Sequence, residues 1–361
     1  MEMKLSAPCL FGLEGLVSDE LKRLKAENVQ AENGRVLFSG GVEFIAKANI
    51  SLACAERVQI LVGEFDAQSF DALFEGTKAL PWENFIPKDG AFPVKGHSLN
   101  SKLFSVPDCQ AIVKKAVVER LKSKYGISWF GETGAKYQIS FMIMKDKASL
   151  YLDTSGAGLH KRGYRPVGNA APLRETLAAA MVRLSRYRGR EEFNDPIEAA
   201  LAAKNRAPGI FRRFEAENWP LVPKAVWDAE REAAKAREFS GEYRIWGGDT
   251  DAKSIETSLA NARRAGVSDI ITFETADARN FRRETRAGLI VTNPPYGERI
   301  MEKEEAEELY RAFGRAFRAL DGWKLYLLSS HTEFERTFGK TADKKRKLYN
   351  GMIKCDLFMY L

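Results

Sequence analysis

An Asn-Pro-Pro-Tyr segment is the part of this sequence whose residue types point most directly to chemistry. It runs from Asn293 to Tyr296 and follows 289–292, a short apolar run typical of a buried strand. Pro294 and Pro295 end that strand because they fix φ and donate no backbone hydrogen bond. A carboxamide oxygen and a backbone carbonyl can accept both hydrogens of an exocyclic amine, and a tyrosine ring can stack on a flat heterocycle. The segment is therefore a candidate grip for a nucleobase amine, although a proline-rich turn with a packed tyrosine explains it equally well in isolation.

Two acidic segments upstream also follow predicted strands. Asp249 and Asp251 lie in a Gly-Gly-Asp-Thr-Asp segment, where a carboxylate can accept hydrogen bonds from both hydroxyls of a ribose. The alternative for either aspartate is an N-cap on the helix that follows. Asp277 and Ala278 come after the next strand, in a position to meet an adenine amine. A capping aspartate explains Asp277 nearly as well.

The elements that must position these segments form an alternating pattern. From Ala170 onward, long helices alternate with short apolar strands, which predicts a parallel sheet with helices on both faces. Ligands of such sheets bind beyond the carboxyl ends of the strands, so the three segments should share one edge. Asn350-Gly351 between two extended runs predicts a closing hairpin with an antiparallel last strand. The predicted fold class is α/β: a Rossmann-like domain over 161–361, preceded by a ferredoxin-like unit over 1–65 and a second small α+β unit over 66–160.

Charge and composition narrow the class of protein. The 361 residues carry a net charge of +7, with basic clusters over 86–125 and 344–347, which allow a polyanionic partner without requiring one. No apolar run approaches the roughly 20 residues of a membrane span, so no membrane association is expected. The 4 cysteines are scattered without metal-ligand spacing. We therefore expect reduced thiols, no bound metal and a cytoplasmic location.

The three strand-end segments together predict one reaction more specifically than any of them alone. An adenosine-bearing cofactor at the first strands and a nucleobase grip at the fourth is the arrangement of a class I methyltransferase that uses S-adenosylmethionine on an exocyclic amine. Such an amine is a poor nucleophile because its lone pair is delocalised into the ring. Acceptors that hold its hydrogens out of the ring plane favour the geometry of attack, so no strong general base is required.

Several longer motifs make the whole chain resemble one family. They are 100–108, 161–165, 172–177, 293–296 and 347–351. With them the chain resembles the bacterial THUMP-domain methyltransferases, close to those described as 23S rRNA guanine-N2 methyltransferases or, in older labels, N6-adenine-specific DNA methylases. The resemblance implies that 66–160 is a THUMP domain that binds structured RNA, and that the last domain binds S-adenosylmethionine and methylates the exocyclic N2 amine of a guanine in 23S rRNA.

The resemblance also implies roles for individual residues. The catalytic residues would be Asn293, Pro294, Pro295 and Tyr296. The cofactor-binding residues would be Arg174 and Thr176 near the methionine end, Asp195, Asp249 on the ribose, Asp251, Asp277 on the adenine, Ala278 and Asn293. The RNA-binding residues would be Lys95, Ser101, Lys102, Lys114, Lys115, Lys161, Arg162 and Arg165.

One departure from the family pattern affects the cofactor pocket. In the family, Asp-Pro after the first strand is followed by a glycine-rich turn that admits the methionine part of the cofactor. Here Asp195-Pro196 runs directly into the helix that begins at Ile197. Without glycines the backbone cannot pass close to the cofactor, and the helix N-terminus loses its anion nest. We favour a short loop missing from the sequence as given over a chain without a complete pocket.

Three alternatives to the main prediction remain open. An adenine-N6 methyltransferase fits the same segment, because the grip recognises only an amine. A guanine-N2 methyltransferase acting on tRNA fits the same domains. A non-catalytic RNA-binding factor is the alternative if the glycine-rich turn is truly absent.

Overall fold

A computed structural model of the protein describes residues 2–166, 173–194, 197–296 and 301–361. Within those residues, no helix combines the length and the apolar character that crossing a lipid bilayer would need.

Short strands and helices alternate through the N-terminal part of the chain. Its strands are β1 (Met3–Pro8), β2 (Glu27–Glu32), β3 (Arg35–Gly40), β4 (Gln59–Asp66), β5 (Val94–Leu99), β6 (Ile139–Met144) and β7 (Lys147–Asp153). Its helices are α1 (Glu14–Arg23), α2 (Val42–Ser51), α3 (Phe70–Ala79) and α4 (Val106–Tyr125). Local sequence explains several boundaries. Ser69 caps α3 by accepting a hydrogen bond from the backbone NH of Ala72, and Gly126, with a φ of 62°, ends α4.

One mixed sheet, the N-terminal sheet, joins these strands in the order β2-β3-β1-β4-β7-β6-β5. The turn between β6 and β7 uses Lys145 and Asp146 at φ angles of 51° and 63°, which suits the twist of a tight hairpin and confirms the predicted turn. Antiparallel pairing of β4 with β7 connects the two predicted α+β units into a continuous sheet. The boundary between these units, placed at residues 65 and 66, stays a prediction.

Longer helices and apolar strands build the C-terminal part. Its helices are α5 (Glu175–Leu184), α6 (Ile197–Ala203), α7 (Lys224–Ala236), α8 (Ala252–Ala265), α9 (Lys303–Arg318) and α10 (Phe334–Phe338). Its strands are β8 (Glu192–Asn194), β9 (Ile245–Asp249), β10 (Ile271–Thr275), β11 (Gly288–Thr292), β12 (Trp323–Ser329), β13 (Lys344–Asn350) and β14 (Ile353–Tyr360).

These strands form the C-terminal sheet, in the order β10-β9-β8-β11-β12-β14-β13. The first five in that order run parallel, and β14 runs antiparallel to β12 and to β13. Residues 289–291 of β11 are buried, as expected of a central strand with helices on both faces. The predicted α/β fold class, with an antiparallel last strand, is confirmed.

A buried polar contact fastens the C-terminal domain to the N-terminal unit. Arg162, just beyond the N-terminal sheet, places Nε and Nη2 each 3.2 Å from a carboxylate oxygen of Glu198 on α6. Its Nη2 also donates to the carbonyl of Ala53 in the N-terminal unit at 2.8 Å, and Tyr164 donates to Glu198 at 2.9 Å. The Arg162 side chain is only 2% exposed, so its charge depends on Glu198 for compensation. The two parts of the molecule are therefore packed as one body around this pair.

Candidate active site

The carboxyl ends of β10, β9, β8 and β11 lie side by side along one edge of the C-terminal sheet. Thr275 at the end of β10 pairs in register with Asp249 at the end of β9, and the NH of Ala276 donates to the carbonyl of Asp249 at 3.0 Å. Asn293 directly follows β11, which is separated from β9 only by β8. The strand pattern therefore brings the two acidic segments and the Asn-Pro-Pro-Tyr segment to the same edge, which we call the carboxyl edge.

The Asn-Pro-Pro-Tyr segment is fixed by two tyrosine hydroxyls. The hydroxyl of Tyr296 donates to Oδ1 of Asn293. Tyr310, buried on α9, donates to the carbonyl of Pro295 at 2.5 Å, and its hydroxyl lies 3.4 Å from Oγ of Ser329 at the end of β12. A carboxamide oxygen accepts two hydrogen bonds, so Oδ1 of Asn293 retains one acceptor position for a bound amine. The segment is thus held in place before any ligand enters.

The environment of Tyr296 keeps its hydroxyl protonated. The ring packs against the main hydrophobic core, and the hydroxyl interacts with Asn350 and Cys355 of the β13–β14 hairpin. Burial raises the pKa of Tyr296 well above its ordinary value, and Cys355 acts in the same direction. A protonated phenol can donate to Asn293 at neutral pH. Tyr296 is therefore a positioning group for the carboxamide, whereas its stacking on a base stays a prediction.

The two aspartates after β9 differ in how their carboxylates are engaged. Asp251 is the N-cap of α8, because it accepts hydrogen bonds from the backbone NH groups of Lys253 and Ser254 at 3.2 and 3.0 Å. The hydrogen bond from the Ser254 hydroxyl is the main cause that lowers the pKa of Asp251. Among the described residues, the exposed Asp249 carboxylate accepts one hydrogen bond, through Oδ1 from the NH of Asp251 at 2.9 Å. Oδ2 of Asp249 is therefore available to a ribose hydroxyl.

Asp277 follows β10 at the same edge and is paired with a neighbouring cation. Its carboxylate accepts from the backbone NH of Arg279 at 2.9 Å and forms an ion pair with that guanidinium at 2.6 Å. Arg279 therefore lowers the pKa of Asp277. Ala278 beside it is exposed. Contact of Asp277 and Ala278 with an adenine stays a prediction, and the Asp277 side chain would have to share its acceptors with Arg279.

Arg174 and Thr176 contact the N-terminal unit in this structure. Glu56 accepts a hydrogen bond from the hydroxyl of Thr176, and its Oε2 lies 3.3 Å from Nη1 of Arg174 and 3.3 Å from Nδ1 of His160. Thr176 is fully buried, whereas the Arg174 side chain is 43% exposed. Their predicted contact with the methionine end of the cofactor stays a prediction. Asp195 and Pro196, which follow β8 in the sequence, lie outside the described residues.

Three of the predicted RNA-binding residues have acidic partners within the protein. Arg162 is buried there, which corrects its assignment, whereas RNA binding by the half-buried Lys114 and Arg165 stays a prediction. Arg162 is buried against Glu198, as described above. Lys114 donates to the carbonyl of Phe92 at 3.0 Å, forms an ion pair with Glu132 and stands 3.6 Å from the centre of the Phe92 ring. Arg165 pairs with Glu175 at 2.9 Å. The sequence places these cations in basic stretches, but each is neutralised by an acidic partner from another segment.

The other predicted RNA-binding residues lie at the surface. They are the exposed side chains of Lys95, Lys102, Lys115 and Lys161, and the half-buried Ser101. Ser101 accepts a hydrogen bond from the NH of Asp146, and the NH of Lys102 donates to the Asp146 carboxylate at 2.7 Å. The loops before α4 and between β6 and β7 are thereby joined at one end of the N-terminal sheet. RNA binding at these positions stays a prediction.

Sequence reasoning missed the groups that support the Asn-Pro-Pro-Tyr segment. Tyr310 and Ser329 support it from α9 and β12, and Asn350 and Cys355 contact Tyr296 from the last hairpin. Tyr310 lies on the apolar stripe of an amphipathic helix, where ordinary core residues also lie. No local signal separates these supporting groups from core packing, because their role depends on which strands become neighbours.

The residues at the carboxyl edge fit the adenosine part of S-adenosylmethionine. The Asp249 carboxylate has an open oxygen for a ribose hydroxyl, and the exposed Gly248 beside it leaves the neighbouring backbone uncovered. The parallel strand order, the acidic end of β9 and an amide grip after β11 define a class I methyltransferase domain.

Comparison with known proteins places the chain within that class. Residues 162–358, more than half of the chain, match the family described as "RMKL-like, methyltransferase domain". Residues 4–59 match the "RlmL ferredoxin-like domain" and residues 67–153 match the "THUMP domain". The chain belongs to the RMKL-like methyltransferase family and is an S-adenosylmethionine-dependent enzyme of that family.

Individual relatives agree with this assignment. The "Putative RNA methyltransferase YpsC" of Bacillus subtilis (strain 168) is 43% identical, over 99% of this chain and 95% of that protein. The "Ribosomal RNA large subunit methyltransferase K/L" of Psychromonas ingrahamii is 34% identical over 98% of this chain, but the chain spans only 49% of that relative's length. The crystal structure of SMU.472 complexed with SAH superposes with a TM-score of 0.92 at 38% identity, covering 99% of this chain and 98% of that one.

Proposed function

We propose that the protein methylates the exocyclic N2 amine of a guanine in 23S rRNA, in the cytoplasm. The observation that carries the proposal is the Asn293 carboxamide, oriented by Tyr296 at the end of β11. It lies on the same edge of the sheet as Asp249, whose open carboxylate oxygen is suited to the cofactor ribose. A nucleobase amine bound at Asn293 would thus lie beside the cofactor.

The main task of the protein in this reaction is to position the amine for methyl transfer. S-adenosylmethionine supplies an activated methyl group when it is bound. The second acceptor position of Asn293 Oδ1 would take one hydrogen of the amine and thereby direct the nitrogen lone pair out of the conjugated ring plane. Tyr310 stiffens the segment from behind through the carbonyl of Pro295. This arrangement needs no strong general base, because the proton becomes acidic as the nitrogen is alkylated.

RNA as the substrate class is supported by the N-terminal domains and by the relatives. The exposed lysines Lys95, Lys102, Lys115 and Lys161 lie on or next to the N-terminal sheet and suit contacts with a phosphate backbone. The K/L relative is named as a large-subunit rRNA enzyme, yet the chain covers only 49% of it. We extend the rRNA assignment to this chain as a proposal, with domains over 1–65, 66–160 and 161–361.

The identity of the base and of the RNA is tested together by one measurement. Unmodified 23S rRNA and unmodified tRNA are incubated with the full chain and S-adenosylmethionine, digested to nucleosides and analysed by mass spectrometry. We expect N2-methylguanosine from 23S rRNA. Detection of N6-methyladenosine would instead identify adenine as the target base. Methylation confined to tRNA would identify tRNA as the substrate.

The role of the Asn293 carboxamide is tested with Asn293→Ala. Removing the carboxamide should lower methyl transfer by at least about a hundredfold, because the amine loses the acceptor that orients it. Affinity for RNA and for S-adenosylmethionine, measured by filter binding and calorimetry, should stay near that of the unmodified protein. Full activity in this variant would refute the assignment. Failure of the unmodified protein to bind S-adenosylmethionine would instead favour a non-catalytic RNA-binding factor.

A further inference from the structure

The tip of the last hairpin extends beyond the carboxyl edge, next to the Asn-Pro-Pro-Tyr segment. Ser329, the last residue of β12, pairs with Asp356 of β14, so residues 350–355 continue past the end of β12. Asn350 and Cys355 from this extension lie near enough to the Tyr296 hydroxyl to influence its pKa. We call residues 349–354 the hairpin tip.

The hairpin that carries this tip is anchored. Pairing between β13 and β14 continues without interruption to Asn350 opposite Ile353, and Gly351 makes the turn with a φ of 66°. Leu348 and its partner Cys355 are both buried just below the tip. Arg346 further anchors the hairpin by donating to the carbonyl of Gly12 in the N-terminal unit. The position of the tip relative to Asn293 is therefore set by packing on both sides.

The tip presents one apolar side chain among cations. Met352 is 99% exposed, the highest exposure among the large hydrophobic residues of the described chain, and Tyr349 is 37% exposed. Lys347 and Lys354 flank them, both exposed and neither forming an ion pair with a described residue. An unbranched apolar side chain at the end of a rigid support, with cations beside it, has the form of the wedges that separate stacked bases while phosphates are bound on either side.

We propose that Met352 is a wedge that enters the base stack of the RNA when the target nucleotide leaves it for the Asn-Pro-Pro-Tyr segment, with Lys347 and Lys354 bound to the flanking phosphates. This inference rests on the proposed function and adds how the target is made accessible. An amine inside a stacked helix cannot reach an acceptor at the carboxyl edge, so the nucleotide must be extruded, and the gap that it leaves is unfavourable unless it is filled.

RNA fits the tip better than a second protein does. A single exposed methionine with a partly exposed tyrosine is far smaller than the apolar patch of a stable protein interface. The exposed cations Lys344 and Lys347 on β13, the edge strand of the C-terminal sheet, oppose pairing with another strand and favour a polyanion. An RNA backbone complements this surface in charge, while methylation at the adjacent Asn293 requires a base to be displaced at this position.

The test compares two RNAs that differ in stacking. The modified nucleotide is first mapped in 23S rRNA with the unmodified protein. Initial rates are then measured on the folded transcript and on a short single-stranded oligonucleotide of the same sequence. Met352→Ala should lower the rate on the folded transcript by about tenfold or more, because unstacking is no longer compensated. On the oligonucleotide the rate should stay within about twofold.

A fluorescent base and a matched variant complete the experiment. With 2-aminopurine at the mapped position of the folded RNA, the unmodified protein should raise the emission by unstacking the base, and Met352→Ala should abolish most of that rise. Phe239→Ala removes another exposed hydrophobic side chain, 61% exposed in the segment before β9, and should change neither readout. Lys347→Ala with Lys354→Ala should lower the slope of log affinity against log salt by about 1 to 2.

Each outcome has one meaning. If Met352→Ala lowers the methylation rate equally on both RNAs, or on neither, the wedge proposal is overturned and the methyltransferase assignment stays intact. A change in sedimentation of this variant without RNA would assign the tip to contact between protein copies and would also overturn the wedge. If the unmodified protein methylates no RNA, the proposed function fails and the wedge fails with it.

Discussion

The N-terminal and C-terminal sheets each have seven strands among the described residues, but they differ in how their strand ends are arranged. In the C-terminal sheet, β10, β9, β8, β11 and β12 run parallel, so their carboxyl ends meet at one edge. In the N-terminal sheet nearly all neighbours run antiparallel, with β5 and β6 as the parallel pair. Loops with different roles therefore alternate at each of its ends. The parallel strands of the C-terminal sheet bring functional side chains together at one edge, whereas the N-terminal sheet presents a broad surface.

The comparison also shows how the two architectures depend on each other. Asn293 and the hairpin tip need a fixed relation to the surface that receives RNA, and that relation comes from polar contacts between the two parts. Arg162, which is paired with Glu198, forms one such contact by donating to the carbonyl of Ala53, and Glu56 with Arg174 and Thr176 forms another.

Loss of the buried ion pair should have the largest effect on stability. Glu198→Gln removes the carboxylate that is paired with the Arg162 guanidinium, whose side chain is 2% exposed. We expect the free energy of unfolding to fall by about 3 to 5 kcal/mol, because a buried charge that loses its partner is strongly unfavourable. Urea unfolding at neutral pH measures this change, and hydrogen exchange should show faster opening in both sheets.

Glu232→Gln is the matched control. Its side chain is 72% exposed and pairs with Lys235, so the change should stay within about 0.5 kcal/mol. Equal effects of the two variants would mean that the Arg162–Glu198 contact does not unite the two sheets.

Two helix glycines, one in each part of the molecule, should respond differently to substitution by alanine. A Cβ on Gly314 of α9 would overlap the backbone carbonyl of Phe338, which cannot yield as a flexible side chain would. Gly314→Ala should therefore cost about 1 to 3 kcal/mol. A Cβ on Gly15 of α1 meets no atom within 4 Å, so Gly15→Ala should stabilise the protein by about 0.5 to 1 kcal/mol. Thermal unfolding measures both, and a stabilising Gly314→Ala would contradict the close approach of α9 to Phe338.

The acid dependence of the contact at Glu56 should be the smallest of the three effects. Burial opposes ionisation of Glu56, but hydrogen bonds from His160 and Thr176 and the charges of His160 and Arg174 outweigh it, so its pKa is lowered. A carboxyl with a lowered folded pKa contributes stability above its unfolded value, and this contribution is lost as the pH falls through the folded pKa. Glu56→Gln should therefore cost about 1 to 2 kcal/mol at neutral pH.

Below the ordinary pKa of a glutamate, the difference between Glu56→Gln and the unmodified protein should shrink. Urea unfolding of both proteins over a series of pH values measures this trend. A difference that grows toward acid would mean that the Glu56 carboxylate does not stabilise the contact between the two parts.

Much of the C-terminal domain could be predicted because its signals are local. The apolar run before Asn293, the two prolines and the Asn350-Gly351 turn each determine backbone geometry within a few residues. The N-terminal part was less predictable. Five of the six residues of β2 are exposed and show no apolar alternation, so the strand owes its conformation to pairing with β3. Pairing of β4 with β7 joins segments more than eighty residues apart, for which no local pattern exists.

The candidate site shows the same difference between features that local sequence predicts and features that depend on distant segments. The sequence located Asn293 and Asp249 at strand ends, but it could not distinguish exposed cations from buried ones. Lys161 and Arg162 are neighbours in one basic stretch, yet Lys161 is exposed and Arg162 is buried against Glu198. That difference depends on α6 packing against Arg162, which is a property of distant segments.

Local sequence patterns are enough to predict the α/β class, the order of the parallel strands along the chain and the chemical character of the groups that end them. Those features follow from periodicity, proline geometry and side-chain chemistry, which act over a few residues. Only the folded chain shows that Tyr296 and Tyr310 hold the Asn-Pro-Pro-Tyr segment, that Arg162 is an internal anchor, and that Met352 is almost fully exposed at the hairpin tip. These outcomes depend on which distant surfaces become neighbours, because burial and desolvation are set by the assembled fold.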